Sequence, residues 1–237
     1  MKKLVIIATA LVGFLFTVNA QQINFGVKAG VNFSSFGGYE GFNGTVLDEY
    51  GTEAGTVSEK QNGKTGFHVG VNMQCMFTEQ LGIETGLFFS TLGTKITHKA
   101  SFTDTQHGGE WTYNPMYLQL PIQALYKFTL APNVYLYPSA GVYLGYGIAG
   151  KSNGGPNLFG ENSDDLGSYR IANRFDAGLI GELTFQYTNF TFGFGYQYGL
   201  TNVSRKIGDI APGRYLITGN ENPATNRNFK ISVGYFF

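Results

Sequence analysis

The three histidines are the first residues to consider for acid–base or metal chemistry, because imidazole titrates near neutral pH and binds transition metals. They are His68, His98 and His107. Ser101 and Asp104 lie between the last two, so that segment holds the residue types of a Ser-His-acid hydrolase. Such a triad is defined by its geometry, which this spacing does not establish. A polar loop explains the segment better, and the histidines lack a metal-binding spacing.

A second candidate site is an acidic cluster in the stretch NGGPNLFGENSDDLG. Its carboxylates, Glu161, Asp164 and Asp165, are oxygen ligands of the kind that Ca²⁺ prefers. Their spacing does not match an EF-hand loop, so a solvated loop is the favoured interpretation. We therefore expect no catalytic residue, no metal and no cofactor, and we do not expect the chain to be an enzyme.

A third group consists of charged residues that alternate with large apolar side chains. They are Lys28, Glu84, Lys127, Arg174, Asp176, Glu182 and Lys230. If these charges share one interior, their near balance matters, because an unpaired buried charge costs several kcal/mol. Two interpretations stay open. The favoured one is a salt-bridged plug that fills the interior, and the other is a gate whose members exchange partners to open a narrow water path.

Alternation with a period of two defines the elements that would position these charges. Large apolar residues alternate with small or polar ones, as in strands with two different faces, and no helical period of comparable strength competes. The alternating stretches cover residues 23–34, 66–77, 81–90, 116–128, 134–146, 174–187, 190–198 and 229–237. The third stretch changes parity near Thr91 and Leu92, which predicts a bulge or the end of its buried part.

The connections between these stretches alternate in length. The short ones cover residues 78–80, 129–133 and 188–189, and the long ones cover 36–63, 100–112, 150–172 and 205–225. Short turns at one rim and long loops at the other are typical of outer-membrane barrels, where the turns are periplasmic and the loops extracellular.

The composition favours a membrane barrel over a secreted soluble one. Charged residues make up 14% of the chain, against about 25% in a typical soluble domain. Ten tilted strand residues rise roughly 23 Å, close to the apolar band of such barrels. A closed barrel also satisfies its backbone hydrogen bonds within lipid. We predict an all-β, antiparallel, transmembrane up-and-down barrel of about eight strands, in contact with outer-membrane lipid. The net charge of zero gives no support to nucleic-acid binding.

The two ends of the chain predict export and insertion. Residues 1–20 combine two lysines, an apolar run and a small residue at Ala20, which is the pattern of a cleaved secretory signal peptide. Residues 21–237 would then form one barrel domain in the outer membrane. In the terminal stretch ISVGYFF, the alternate residues Ile231, Val233, Tyr235 and Phe237 are predicted to face lipid. The terminal aromatic resembles the C-terminal signal by which the barrel-assembly machinery recognises outer-membrane proteins.

Three stretches of the chain resemble a known family: FGVKAGVNFSSF, YLQLPIQALYKF and RFDAGLIGELTFQY. They are similar to the PorT-type outer-membrane β-barrels of Bacteroidota, often labelled porin family, and the resemblance covers essentially all of residues 21–237. It implies an integral outer-membrane barrel without catalytic residues, whose namesake assists protein secretion. Two functions stay open: a structural or interaction protein that meets a secretion or envelope partner, and a narrow porin for small solutes. A lipid-modifying hydrolase is a distant third.

Overall fold

The computed structural model describes residues 22–38, 43–47, 53–102, 106–152, 158–159, 162–164, 167–169, 172–203 and 224–237. The predicted signal peptide, residues 1–20, lies outside this part of the chain. No helix in the described part is long and apolar enough to cross a membrane.

Regular structure in the described residues consists of thirteen strands. They are β1 (Gln22–Gly37), β2 (Asn43–Leu47), β3 (Glu53–Met76), β4 (Leu81–Thr91), β5 (Thr94–Phe102), β6 (Gln106–Tyr126), β7 (Phe128–Ala131), β8 (Val134–Ser152), β9 (Asn162–Asp164), β10 (Gly167–Tyr169), β11 (Phe175–Tyr187), β12 (Phe190–Gly199) and β13 (Thr225–Phe236).

Eight of these strands close into one barrel. β1 pairs with β3, and antiparallel pairing continues through β4, β6, β8, β11, β12 and β13. β13 then pairs with β1 from Gly26↔Phe236 to Gly37↔Thr225, which completes the ring. A closed ring leaves no strand edge to be satisfied by water. The predicted antiparallel barrel of eight strands is confirmed.

The two faces of the wall have opposite character. In β11 and β12, every second position is buried, and the positions between are exposed except for half-buried Ala177. The exposed set includes Phe185, Phe192 and Tyr198, whereas the buried set includes Thr184 and Gln197. Apolar side chains outside and polar ones inside are the arrangement of a membrane barrel and the reverse of a soluble one.

The chain reverses tightly at one end of the barrel, which we call the turn end. Residues 77–80 join β3 to β4, and residues 188–189 join β11 to β12. Asn133 and Thr188 have positive φ angles of 62° and 55°, as tight hairpin turns require. We call the opposite end the far end.

The change of parity near Thr91 marks a bulge, as the sequence predicts. β3 pairs His68 with Ser90 but Gly63 with Thr94, so four residues of β3 stand opposite only three residues, 91–93, at the junction of β4 and β5. Gly93 lies at this break with a φ of 138°, and a Cβ atom there would collide with the carbonyl oxygen of Tyr113. Only glycine accommodates both constraints.

Several strands extend beyond the ten residues or so that a membrane requires. β3, β6 and β8 have 24, 21 and 19 residues. The segments 36–63 and 100–112, predicted as loops, contain β2, the first part of β3, the end of β5 and the start of β6. These extensions pair with one another, so their backbones are satisfied. Alternation did not reveal them because polar residues occupy both faces of these segments in the sequence.

Candidate functional site

The centre of the barrel holds four charged residues in contact, which we call the central charge cluster: Lys28, Glu84, Glu182 and Lys230. Lys28 Nζ lies 2.7 Å from Glu84 Oε1 and 2.8 Å from Glu182 Oε1. Lys230 Nζ lies 3.2 Å from Glu182 Oε2. All four residues are buried. Two positive and two negative charges thus neutralise one another across strands β1, β4, β11 and β13.

Glycines on adjacent strands make room for these long side chains. Lys28 stands opposite Gly70 on one side and Gly234 on the other. A Cβ atom at Gly193 would lie 2.8 Å from Glu182 Oε1, and one at Gly195 would lie 3.0 Å from Lys230 Cε. The interior of an eight-stranded barrel is just wide enough for side chains to fill it, so these glycines allow the cluster to fit.

Neutral polar side chains form a second network beside the cluster. The His68 ring lies between Asn32 Oδ1, 2.9 Å from Nδ1, and Ser232 Oγ, 3.0 Å from Nε2. Asn32 Nδ2 donates to Ser90 Oγ at 2.9 Å. His68 is therefore a hydrogen-bonded residue of the lumen, as its position in the alternation predicts.

Asp176 lies in a separate polar site. Its carboxylate accepts hydrogen bonds from Asn226 Nδ2 at 2.8 Å, Thr201 Oγ1 at 3.0 Å and the Tyr143 hydroxyl at 3.2 Å. These neutral donors take the place of a cation, and the described residues include no ion-pair partner for it. Asp176 is thus inward-facing, as predicted, but it does not join the central charge cluster.

Apolar side chains pack in the lumen at both ends. Met76, Leu125 and Tyr137 pack together at the turn end. At the far end, Leu92 and Tyr117 pack against the segment 158–159, which comes from the connection between β8 and β11. The Tyr117 and Phe159 rings are 5.8 Å apart. Leu158 and Phe159, which we call the far-end plug, are buried.

A cavity of about 10 Å³ lies among polar lumen side chains that include Asn32, His68 and Lys230. That volume is about the minimum for a single water molecule. Across the described residues, the interior is a sequence of ion pairs, amide networks and apolar caps rather than an open channel.

The predicted charge network is wrong for two of its members. Lys127 and Arg174 lie at the two ends of the barrel and do not join the central charge cluster. Lys127 follows β6 at the turn end, where its Nζ lies 3.9 Å from the centre of the Tyr135 ring. Partial burial lowers the pKa of Lys127. Arg174 precedes β11 at the far end and donates to the carbonyl oxygens of Gly147 and Phe159. Alternation assigns a residue to a face of the wall but does not give its depth in the barrel.

The terminal strand has the orientation that its sequence predicts. Val233, Tyr235 and Phe237 are exposed on the outer wall, and Ile231 shares that face but is partly covered. The Tyr235 ring lies 5.1 Å from that of Phe190 and 5.6 Å from that of Phe237. The recognition of this strand by an assembly machinery stays a prediction.

The two loop sites considered from the sequence lie largely outside the described residues. Asp104, Glu161 and Asp165 are not among them, and the side chains of Asp164, His98 and His107 are not described. The backbones of His98 and His107 belong to the paired strands β5 and β6. Among the side chains that are described, no three of His, Cys, Asp or Glu group as a metal site.

Sequence reasoning missed two parts of the interior. The amide layer of Asn32, Asn228 and Gln197 has the parity of lumen residues, so a search for neutral as well as charged inward positions would find it. The far-end plug has no such signal, because Leu158 and Phe159 lie in a connection without alternation.

A closed barrel with an apolar wall and a polar, filled interior defines the class of transmembrane β-barrel proteins. The sequence matches the family described as "Outer membrane protein beta-barrel domain" over residues 19–205. The match covers most of the chain, so the protein belongs to this family of outer-membrane barrels.

Comparison with other proteins adds three distant structures. OprG of Pseudomonas aeruginosa is 15% identical, over 90% of this chain and 95% of that chain, with a TM-score of 0.42. Ail, the attachment invasion locus protein of Yersinia pestis, is 14% identical over 92% and 100%, with a TM-score of 0.40. The translocator domain of the autotransporter NalP from Neisseria meningitidis is 11% identical over 99% and 95%, with a TM-score of 0.34. No curated protein matches the sequence. At these scores the likenesses carry no conclusion about function.

Proposed function

We propose that this outer-membrane barrel is a structural or interaction protein whose lumen stays closed, and that it is not an enzyme. The observation that carries the proposal is the neutralised central charge cluster, in which Lys28 bridges Glu84 and Glu182 at 2.7 and 2.8 Å. Breaking a buried ion pair is costly, so the cluster opposes the entry of solutes. The apolar caps at both ends oppose it further.

The proposal assigns the working surface to the rims of the barrel. At the far end, β3, β5 and β6 continue past the apolar wall as paired strands rich in polar residues, and this polar surface would meet a partner. The resemblance to PorT-type barrels of Bacteroidota supports a partner in secretion or in the cell envelope. Export would remove residues 1–20, and the β13 strand would engage the barrel-assembly machinery.

Single-channel recording tests the closed lumen directly. The purified, refolded barrel is added to a planar bilayer, and its folding is checked by heat-modifiable migration on a gel. We expect no unitary conductance from the wild-type protein. Reproducible conductance steps from folded protein would overturn the proposal.

A narrow porin for small solutes is the second candidate, and one observation favours it. Glu182 contacts both Lys28 and Lys230, so a shift of its carboxylate would break one ion pair and keep the other. If this change opens a path, the wild type conducts, and Lys28→Ala or Glu84→Ala changes the size of its steps. Wild-type steps that neither substitution alters would place the path away from the cluster.

A further inference from the structure

Arg227 is a cation on the outer face of the barrel wall. Along β13 it shares the face of exposed Phe229, whereas its neighbours Asn226 and Asn228 are buried in the lumen. Its guanidinium carbon Cζ lies 3.5 Å from the centre of the Tyr198 ring, and Tyr198 is itself exposed on the outer face of β12. The half-buried side chain of Arg227 therefore lies outside the wall rather than in the lumen.

The position of Arg227 marks the far-end edge of the apolar band. Every second residue over 229–237 is large, apolar and on the outer face, and Phe237 is ten residues beyond Arg227. Ten tilted strand residues rise roughly 23 Å, which matches the apolar band of about 25 Å in membrane barrels. The two neighbouring strands agree, because the outward aromatic residues end at Phe33 in β1 and at Tyr198 in β12. Arg227 thus lies at the level where lipid headgroups begin.

One nitrogen of the Arg227 guanidinium makes all of its hydrogen bonds to described residues. Nη1 donates to the carbonyl oxygens of Gly199 at 2.8 Å and Asn226 at 3.2 Å, and to Thr225 Oγ1 at 2.7 Å. The other edge of the group, Nε and Nη2, is the one with which arginine binds a phosphate through two parallel hydrogen bonds. A Cβ atom at Gly37 would lie 2.8 Å from Nε and 3.0 Å from Nη2, so glycine keeps this edge free of a side chain.

We propose that Arg227 binds the phosphate group of one membrane lipid, whose acyl chains lie against the outer wall on the turn-end side of Arg227. Membership of an outer-membrane family places lipid against this wall. The rings of Phe33 and Phe229, 6.3 Å apart, form the apolar surface next to the cation on that side. Positive charge at the edge of the apolar band selects a phosphate-bearing headgroup by charge complementarity. The Tyr198 ring and the hydrogen bonds of Nη1 orient the guanidinium before the lipid arrives, which reduces the entropy lost on binding.

Titration by native mass spectrometry of the full barrel in detergent tests this site. The probes are dimyristoylphosphatidylglycerol, dimyristoylglycerol, which has the same chains without phosphate, and inorganic phosphate, which has no chains. We expect one phosphatidylglycerol to bind more tightly than either of the other probes. In Arg227→Gln we expect its affinity to fall about fivefold, because one cation at a lipid surface contributes about 1 kcal/mol.

Gly37→Ala separates the placement of the guanidinium from its charge. This variant keeps every charge, but its methyl group would lie 2.8 Å from Arg227 Cζ, so the guanidinium must shift. We expect its affinity for phosphatidylglycerol to fall as well. Heat-modifiable migration on a gel checks that each variant is folded.

Lys64→Gln is the matched control, because Lys64 is also a far-end cation but pairs with Ser34, which faces the lumen. It should bind phosphatidylglycerol like the wild type. An equal loss in Lys64→Gln and Arg227→Gln would show unspecific attraction around the rim and overturn the proposal. Wild-type affinity in folded Gly37→Ala would also overturn it. If dimyristoylglycerol binds as tightly as phosphatidylglycerol, the phosphate is not recognised, and if inorganic phosphate does, the lipid is the wrong occupant.

Discussion

The central charge cluster shows at the residue level how a membrane barrel tolerates ions inside it. Glu182 stands between two ammonium groups, and its Oε1 also accepts a hydrogen bond from Thr184 Oγ1 at 3.2 Å. Glu84 contacts only Lys28 among the described cations. Glu182 therefore neutralises two lysines, whereas Glu84 neutralises one.

Neutralising the two glutamates should have unequal effects on stability. Glu182→Gln leaves Lys230 without an ion-pair partner among the described residues and Lys28 with Glu84 alone, so we expect a loss of about 3–5 kcal/mol in the free energy of unfolding. Glu84→Gln should cost less, because Lys28 keeps Glu182. Urea titration of the folded barrels in micelles, followed by tryptophan fluorescence, measures both. A larger loss in Glu84→Gln would show that Glu182 is not the hub of the cluster.

Gly93 gives a second prediction at this scale. Gly93→Ala would place a methyl group against the Tyr113 carbonyl at a positive φ, so we expect a loss of stability of at least about 1 kcal/mol. Gly181→Ala is the matched control, since its nearest neighbour would lie at an ordinary 3.8 Å. Its stability should stay within about 0.5 kcal/mol of the wild type. Equal unfolding midpoints for the two variants would remove the argument for strain at the bulge.

The strands that close the ring are the critical elements of the barrel. β13 pairs with β12 on one side and with β1 on the other, so the barrel is complete only when its last strand has been placed. Phe237 follows β13 and, at 76%, is the most exposed large apolar side chain among the described residues. An aromatic side chain so exposed contributes little to packing, and recognition by the assembly machinery is its proposed role.

Replacing Phe237 should therefore affect assembly more than stability. For Phe237→Ser we expect less heat-modifiable barrel in the outer membrane of expressing cells but normal refolding of the purified chain in micelles. Phe185→Ser, on the outer face of β11, is the control for losing an exposed aromatic residue. If both variants assemble equally well in cells, the terminal aromatic is not an insertion signal.

In the proposed closed lumen, three barriers lie in series along the axis of the barrel. They are the far-end plug, the central charge cluster and the apolar cluster at the turn end, and each consists of buried side chains of different chemistry. The removal of one barrier leaves two, so closure does not rest on a single side chain.

Phe159→Ala tests this redundancy. It removes the ring that packs on Tyr117 at the far end, and we expect the bilayer to stay silent because the central charge cluster still blocks the lumen. The triple variant with Lys28→Ala and Glu84→Ala serves as a comparison that weakens two barriers at once. Conductance from Phe159→Ala alone would mean that the far-end plug is the sole barrier and that the cluster is permeable.

The sequence by itself determined the barrel, its strand count and which face of each strand meets lipid. A period of two is a local property, so residues such as Phe192 and Gln197 reveal their faces without any knowledge of their neighbours. The parity of Lys28, Glu84 and Glu182 likewise placed all three inside the barrel. The bulge near Thr91 is also visible in the sequence, because the parity of the apolar positions changes there.

Only the tertiary structure decided which inward groups meet. Lys28 is 56 residues from Glu84 and 154 residues from Glu182 in the chain, and their depths match only after strand registers are fixed around the closed ring. The same registers leave Arg174 at the far end. The far-end plug comes from the connection between β8 and β11. It leaves no repeating pattern in the sequence, because its position depends on where separate strands lie once the barrel has closed.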